Sequence, residues 1–445
     1  MARVAAIVIL SLHFLPSCAF PTTDNIARYV REGALDVSDH SIEDILQGAK
    51  ARQSKRLLFD PLTSPIDVSG DHEWQEPDFG SGAQRGPCPG LNALANHGYI
   101  SRDGVASFFD LAAVMNDVFG MGIDLATILT VMGTVWTGDP LSLSPGFSLD
   151  GHSRKVGNLL GNLLGLLGEP RGISRSHNWL EADASLTRDD LYVTGDAATM
   201  NMAKFEALYH RADSNTGIIS TESILEHSLD SLHECIATNP YCWYGPYTGM
   251  IARNAGIAFA ARLLSNHSEQ NPDGIMTKEV FKSFWAVEED ATGSLRYNRG
   301  WERIPENWYR TPVDYGLLNL NVDLLDWISK YPELASIGGN TGTVNSFTPL
   351  NLTDITSGLL NAETLLEGDN LVCFVLQVVK TFSPDSLSSL YATLGEVLGL
   401  LTDTLGNVLT DLVCAPFEDL QYGGQPLWDG LLDTYAGPAK AGSAL

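Results

Sequence analysis

The sequence predicts a mostly α protein: a single large helical domain preceded by an irregular N-terminal extension. Three observations carry this. Apolar residues recur at helical spacing, as in Phe108, Leu111, Val114, Met115 and Val118. β-branched alternation never persists long enough to mark a strand. The chain has 445 residues, of which 44% are hydrophobic, enough to fill one large core or two ordinary ones.

Taken in order, the chain opens Met1-Ala2-Arg3, runs through a mostly apolar stretch from Val4 to Leu15, and reaches the small residues of Ser17-Cys18-Ala19. A charged start, an apolar core too short for a bilayer and a small-residue exit predict a secretory signal peptide over residues 1–19. A lipoprotein leader acylated at Cys18 is the alternative. Cleavage would leave five of the six cysteines. Residues 20–84 then read as an N-terminal extension or pro-segment. Within it Ser41 to Leu58 has helical potential, and Pro61 to Gly82 reads as extended chain anchored by Trp74. The main domain is expected over 85–420 and a C-terminal tail over 421–445, of which Ala436 to Leu445 reads as flexible. Ser107 to Val135 reads as helix. Gly157 to Gly168 reads as a buried loop-helix, and Leu387 to Leu412 as a leucine-rich helix that packs on the domain or on a second copy of the chain.

A net charge of −27 argues against general affinity for nucleic acid or anionic membranes. No later run is long enough for a transmembrane helix. Asn266-His267-Ser268 and Asn351-Leu352-Thr353 fit the N-glycosylation pattern. Cys235 and Cys242 either bridge or stay free.

The chemically informative stretch is Arg85-Gly86-Pro87-Cys88-Pro89-Gly90-Leu91-Asn92-Ala93-Leu94-Ala95-Asn96-His97-Gly98-Tyr99. Pro89 suits the first position of a helix, and Gly98 suits the left-handed stop beyond its end. Cys88 then occupies the cap, where the unpaired amides of Gly90 and Leu91 and the positive end of the helix favour thiolate over thiol. Such a sulfur suits nucleophilic attack or ligation of a soft metal centre such as haem iron; an inert or disulfide-bonded cysteine in a helix cap is the plainer alternative.

The same fifteen residues resemble the Pro-Cys-Pro region of the haem-thiolate peroxidases, the fungal chloroperoxidase and unspecific peroxygenase family. The resemblance implies haem b with Cys88 as proximal iron ligand and Gly90 and Leu91 beside it. It extends to His177-Asn178-Trp179-Leu180-Glu181-Ala182-Asp183-Ala184-Ser185-Leu186-Thr187-Arg188-Asp189-Asp190. There it implies that the Glu181 carboxylate, the Ala182 carbonyl and the Ser185 hydroxyl hold Mg2+ or Mn2+ against a haem propionate, a donor set that suits a hard cation. Without the resemblance, Asp183 or Thr187 simply caps a helix and Glu181 is solvated.

Cys235-Ile236-Ala237-Thr238-Asn239-Pro240 resembles the approach to the family's distal helix, and here the pattern departs. Peroxide cleavage calls for a group that moves a proton between the two oxygens. The family's arginine falls at Thr248 and its glutamate at Ala255, and no Asp or Glu occurs from Cys235 to Ser268. Ala182 also removes a histidine alternative, leaving the distal acid–base unassigned. Arg253 reads as a solvated helix residue. The segment Gly300 to Arg310 resembles the family's stretch after the distal helix, with its tryptophans in the core. The resemblance further implies a disulfide between Cys373 and Cys414.

The expected function is a secreted haem-thiolate peroxidase or peroxygenase that uses hydrogen peroxide to oxidise or oxygenate a small organic substrate, with neither nucleic acid nor membrane as partner. The alternative is a haem-thiolate protein with lost or altered peroxide activity, acting in a secondary-metabolite pathway or binding haem without turnover. A non-haem hydrolase has no motif behind it: Gly-x-Ser-x-Gly, His-Glu-x-x-His and Cys-x-x-Cys are all missing.

Overall fold

The computed structural model describes residues 61–138, 145–156, 170–350 and 421–442. The leader, the helix expected over Ser41 to Leu58, the Gly157 to Gly168 stretch, the Leu387 to Leu412 helix, Cys373 with Cys414, and the Asn351 sequon lie outside the described residues.

Helices dominate. They are α1 (Pro89–Asn96), α2 (Phe108–Phe119), α3 (Ile123–Thr137), α4 (Leu191–Thr194), α5 (Met202–Tyr209), α6 (Thr221–Thr238), α7 (Asn254–Ala258), α8 (Lys278–Phe284), α9 (Leu317–Lys330), α10 (Leu427–Thr434) and α11 (Ala436–Ala441). Among the described residues the strands are two or three residues long and join as antiparallel pairs, with one sheet of three strands. The pair nearest the cysteine loop is β1 (Val105–Ser107) with β2 (Gly146–Ser148), Ala106 facing Phe147.

Local chemistry explains the helix ends. Asn201 caps α5 by accepting from the amides of Ala203 and Lys204, Ser220 caps α6 through the Ser223 amide, and Thr277 caps α8 through the Val280 amide. The single helix expected over Ser107 to Val135 is two helices. Gly120 closes α2 in the left-handed region at φ 71°, and a Cβ there would lie 2.5 Å from Thr311 Cγ2. The chain therefore turns, and α3 packs back on α2. Leu111, Met115 and Val118 are buried as their spacing predicts. Asp124 on α3 accepts from the Leu317 amide at 3.0 Å and so starts α9.

One apolar core runs through the helices, with Trp243, Trp308, Trp327, Phe205, Phe281 and Phe284 among its fully buried side chains. The Phe205 and Phe281 rings stack at 4.5 Å. Residues 61–84 cross the surface in mainly extended form. Trp74 donates to the Glu302 carbonyl at 3.2 Å and lies against Trp301 and Arg303. The chain end expected as a flexible tail is instead helical and docked. Tyr435, between α10 and α11, is buried against Trp243 with ring centroids 4.6 Å apart, because it offers the only bulky apolar side chain of the Tyr435 to Gly442 run. Cys235 and Cys242 form a disulfide.

Candidate active site

Cys88 stands at the N-cap of α1, with Pro89 in the first helical position and Gly98 left-handed past the end at φ 69°. Its backbone is extended, and the amides of Leu91 and Gly90 face the sulfur. Cys88 is the free cysteine among the described residues. Burial pushes its thiol up; the two amides and the Arg188 guanidinium pull it back without cancelling the shift. Burial in the protein thus opposes the anion that the two amides favour.

Behind Cys88 the backbone is clasped. Asn92 on α1 bonds both faces of Gly86, accepting from its amide at 2.9 Å and donating to its carbonyl at 2.8 Å. Gly86 lies so close to the chain just after β2 that a Cβ would sit 1.6 Å from the Leu149 oxygen. Arg85 donates to Asn96 at 2.8 Å, and Asn96 donates to the carbonyls of Gly300 and Glu302, both at 2.7 Å.

The second predicted stretch forms a buried ionic cluster. His177 Nδ1 meets Glu181 Oε2 at 2.5 Å, and its Nε2 lies 3.3 Å from Asp183 Oδ1. Burial disfavours the imidazolium, but the carboxylates of Asp183 and Glu181 prevail and hold His177 well above its usual range. Asp183 accepts from the Trp243 amide at 2.9 Å. Asn239 bridges Asp183 at 3.2 Å and Asp190 at 3.0 Å. Burial, then repulsion from Asp183, pushes the Asp190 carboxyl up to about 6. Asp183, Asp190 and Cys235 converge closely enough to suggest a metal site, but the Cys235 sulfur is committed to its disulfide.

A further part of the cavity wall comes from two π-helical turns, Thr248–Arg253 and Phe259–Leu263, on either side of α7. Such turns cluster at functional sites. Arg253, expected in solvent, is buried. It donates to the Ala184 carbonyl at 2.9 Å and to the Ser228 carbonyl, and lies over the Tyr244 ring. A third contact runs to Asn254 beside it on the chain, at 3.4 Å, so the guanidinium ties the Ala184 segment to the long helix that carries Ser228. Ala255 is buried where the resemblance places a glutamate. Tyr247 is buried too, its hydroxyl donating to the Met132 sulfur at 3.3 Å, a weak acceptor. Burial alone pushes its phenol far up, so the hydroxyl stays protonated.

These segments enclose one cavity of about 350 Å³. Cys88, Gly90, Leu91, Glu181, Ala182 and Ser185, which the sequence places in separate stretches, all line it. The rest of the wall is largely apolar, with Leu111, Met115, Phe119, Ile128 and Met132 from α2 and α3 and Ile251, Ala255 and Phe259 from the opposite side. Among the described lining residues Glu181 alone carries a carboxylate. Arg188 also lines the cavity and is buried, and its Nη1 has no partner.

Residues 72–313 match the family model "Peroxidase, family 2". The chain belongs to this family. The family-2 chain is 52% identical to the "Aromatic peroxidase fscJ" of Fusarium equiseti, over 90% of its own length and 91% of that protein's. It is 41% identical to the "Dothistromin biosynthesis peroxidase dotB" of Dothistroma septosporum, over 82% of the chain and 86% of the relative. An "Aromatic peroxygenase" of Cyclocybe aegerita is 26% identical over 74% of the chain and 82% of its own length. As a member of the haem-thiolate peroxidases and peroxygenases, this chain is an oxidoreductase that takes peroxide as acceptor and haem as cofactor. Among the described residues no helix is long and apolar enough to cross a membrane.

Sequence reasoning assigned no role to His177, Asp190, Arg188, Glu302 or Tyr247. His177 meets Glu181 because a turn over residues 178–180 brings the two together as a β-bridge, which spacing alone does not mark. Arg188 and Glu302 are separated by 114 positions, and nothing local marks them.

Proposed function

We propose that this family-2 peroxidase binds haem with Cys88 as the axial thiolate and oxidises a mainly apolar, aromatic small molecule. The observation that carries the reading is a free sulfur, faced by two helix amides, on the wall of a largely apolar cavity. The residues fit the group. The sulfur is free, the walls are apolar enough for a porphyrin, and the unpartnered Arg188 Nη1 suits a carboxylate such as a propionate.

Bound haem supplies the redox chemistry between peroxide and substrate. The chain does the rest. Gly90 and Leu91 donate toward the Cys88 sulfur and steady its negative charge. The walls from α2, α3 and residues 247–264 exclude water and hold an apolar ring. Tyr247, protonated and weakly partnered on the cavity wall, can donate to an oxygen of peroxide or substrate.

Glu181, the Ala182 carbonyl and Ser185 form an all-oxygen set on the cavity wall that suits Mg2+ or Mn2+ beside a propionate. One Glu181 oxygen is already held by His177. Secretion fits the N-terminal pattern, with domain bounds at 1–19, 20–84, 85–420 and 421–445. One relative's name ties it to dothistromin biosynthesis and another's to aromatic substrates, which favours an aromatic, polyketide-type substrate here as well.

The absorption spectrum of the reduced protein under carbon monoxide tests the reading. A Soret band shifted strongly to the red is expected, and Cys88→Ala should lose it. Colourless protein after expression with ample haem, or an unchanged spectrum in Cys88→Ala, would overturn it. Metal analysis of the same sample, before and after Glu181→Gln, tests the divalent ion.

A further inference from the structure

Arg188 and Glu302 are almost entirely removed from solvent, at 2% and 1% exposure. They approach at 3.4 Å between Nη2 and Oε1, long for a charge-assisted pair. Each also grips one end of the cysteine loop. Arg188 Nε donates at 3.1 Å to the Pro87 carbonyl, the residue immediately before Cys88. Glu302 Oε1 accepts at 2.9 Å from Asn92, which clasps Gly86 and whose own amide donates at 3.1 Å to the Cys88 carbonyl. The two charges are not placed evenly. Arg188 lines the cavity, whereas Glu302 stands behind it, outside the lining. Arg188 Nη1 and Glu302 Oε2 have no protein partner.

A buried ion pair contributes little net stability, because desolvating the charges cancels most of the attraction. Neutral side chains could hold the loop equally well. What they could not supply is a cation on the cavity wall, bonded to the residue before the cysteine, with its counter-charge set further back. We infer that Arg188 and Glu302 are positioning residues that set the electron-richness of the Cys88 sulfur, and through it the ferric–ferrous potential of bound haem. Arg188 favours the more negative, reduced centre, and Glu302 offsets it. The proposal rests on Cys88 being the iron ligand.

The test is spectroelectrochemical titration of the haem-loaded full chain. Glu302→Gln leaves the guanidinium unopposed and should move the ferric–ferrous equilibrium at least tenfold toward ferrous, which is 59 mV for one electron. Arg188→Met removes the nearer charge and should move it the opposite way. Arg188→Lys, which keeps the charge, should stay within threefold of the unmodified protein. Opposite signs for the first two support the proposal, since a loosened loop would displace both in the same direction. Shifts of the same sign, or none, overturn it. If Glu302→Gln does not retain haem, Arg188→Met against Arg188→Lys decides: equal potentials overturn the proposal. Failure of the underlying ligand reading shows separately, as an unmodified protein without the red-shifted carbon monoxide band.

Discussion

The two sides of the cavity are built by different rules. On the Cys88 side nearly every polar atom is tied to a distant part of the chain. Asn92 reaches Gly86 and Glu302, Asn96 reaches residues 300 and 302, and Arg188 reaches Pro87. Along the segment from Tyr247 to Leu264, the lining is mostly apolar, carries no carboxylate and has Arg253 as its one charged side chain. The side that holds the charge is rigidly networked, and the side that would handle protons has been stripped. A haem-thiolate site can thus keep its donor ligand while its proton chemistry is slow or supplied by another group.

The strongest way to break this contrast is to return a carboxylate to the stripped wall. Ala255→Glu should raise the rate at which the haem-loaded protein cleaves peroxide by about a hundredfold or more, within the usual 10²–10⁴ range of a positioned acid–base. Stopped-flow mixing with hydrogen peroxide reads this directly. An unchanged rate in a folded, haem-loaded variant would show that proton transfer is not what the wall lacks.

Arg253 tests whether the apolar wall depends on its one buried cation. A surface arginine could be replaced within about 0.5 kcal/mol. Here Arg253→Met removes two buried charge-assisted hydrogen bonds, to the carbonyls of Ala184 and Ser228, and a loss of about 3 kcal/mol is expected in urea unfolding at constant m-value.

The range of each interaction decides how much of this was legible in the sequence. The α1 cap was readable because Pro89, Gly98 and the cysteine act on neighbours. The break between α2 and α3 was written in Gly120 but masked by apolar spacing that continued across it. Arg253 had a visible signal, a lone charge in a long apolar run, which marks a buried satisfied group as readily as an exposed one. Its true environment comes from Ala184 and Ser228, 69 and 25 residues away. The Arg188–Glu302 pair spans 114 residues and had no local trace. C-terminal docking rests on Tyr435 meeting Trp243, which is equally invisible in one dimension.

The ionic cluster beside the cavity gives a prediction of similar size with a definite sign. The Asp190 carboxyl sits at about 6 in the folded protein and near 3.9 when unfolded, so the folded state binds the proton more tightly. Stability should therefore fall as pH rises from about 4 to about 6 and level off above. The fall attributable to this group is on the order of 2–3 kcal/mol. Asp190→Asn should flatten it, as thermal or urea unfolding across that range will show. An unchanged slope would assign it to other groups.

Tyr247 gives the smallest effect and the sharpest discrimination between the two sides. Its hydroxyl now donates to a thioether, a bond weak enough for an oxygen-bearing ligand to displace. Tyr247→Phe keeps the ring against Trp136, so packing is preserved and only the donor is lost. A net neutral hydrogen bond is worth about 1 kcal/mol, roughly a fivefold change in an equilibrium constant. Optical titration of the haem-loaded protein with 2-naphthol should show that weakening in the variant, while naphthalene, which has no oxygen to accept, binds both proteins alike. Equal weakening of both ligands would mean that the substitution reshaped the wall. No weakening of either would place the hydroxyl out of reach of the bound ring and leave Glu181 as the acid on the described lining.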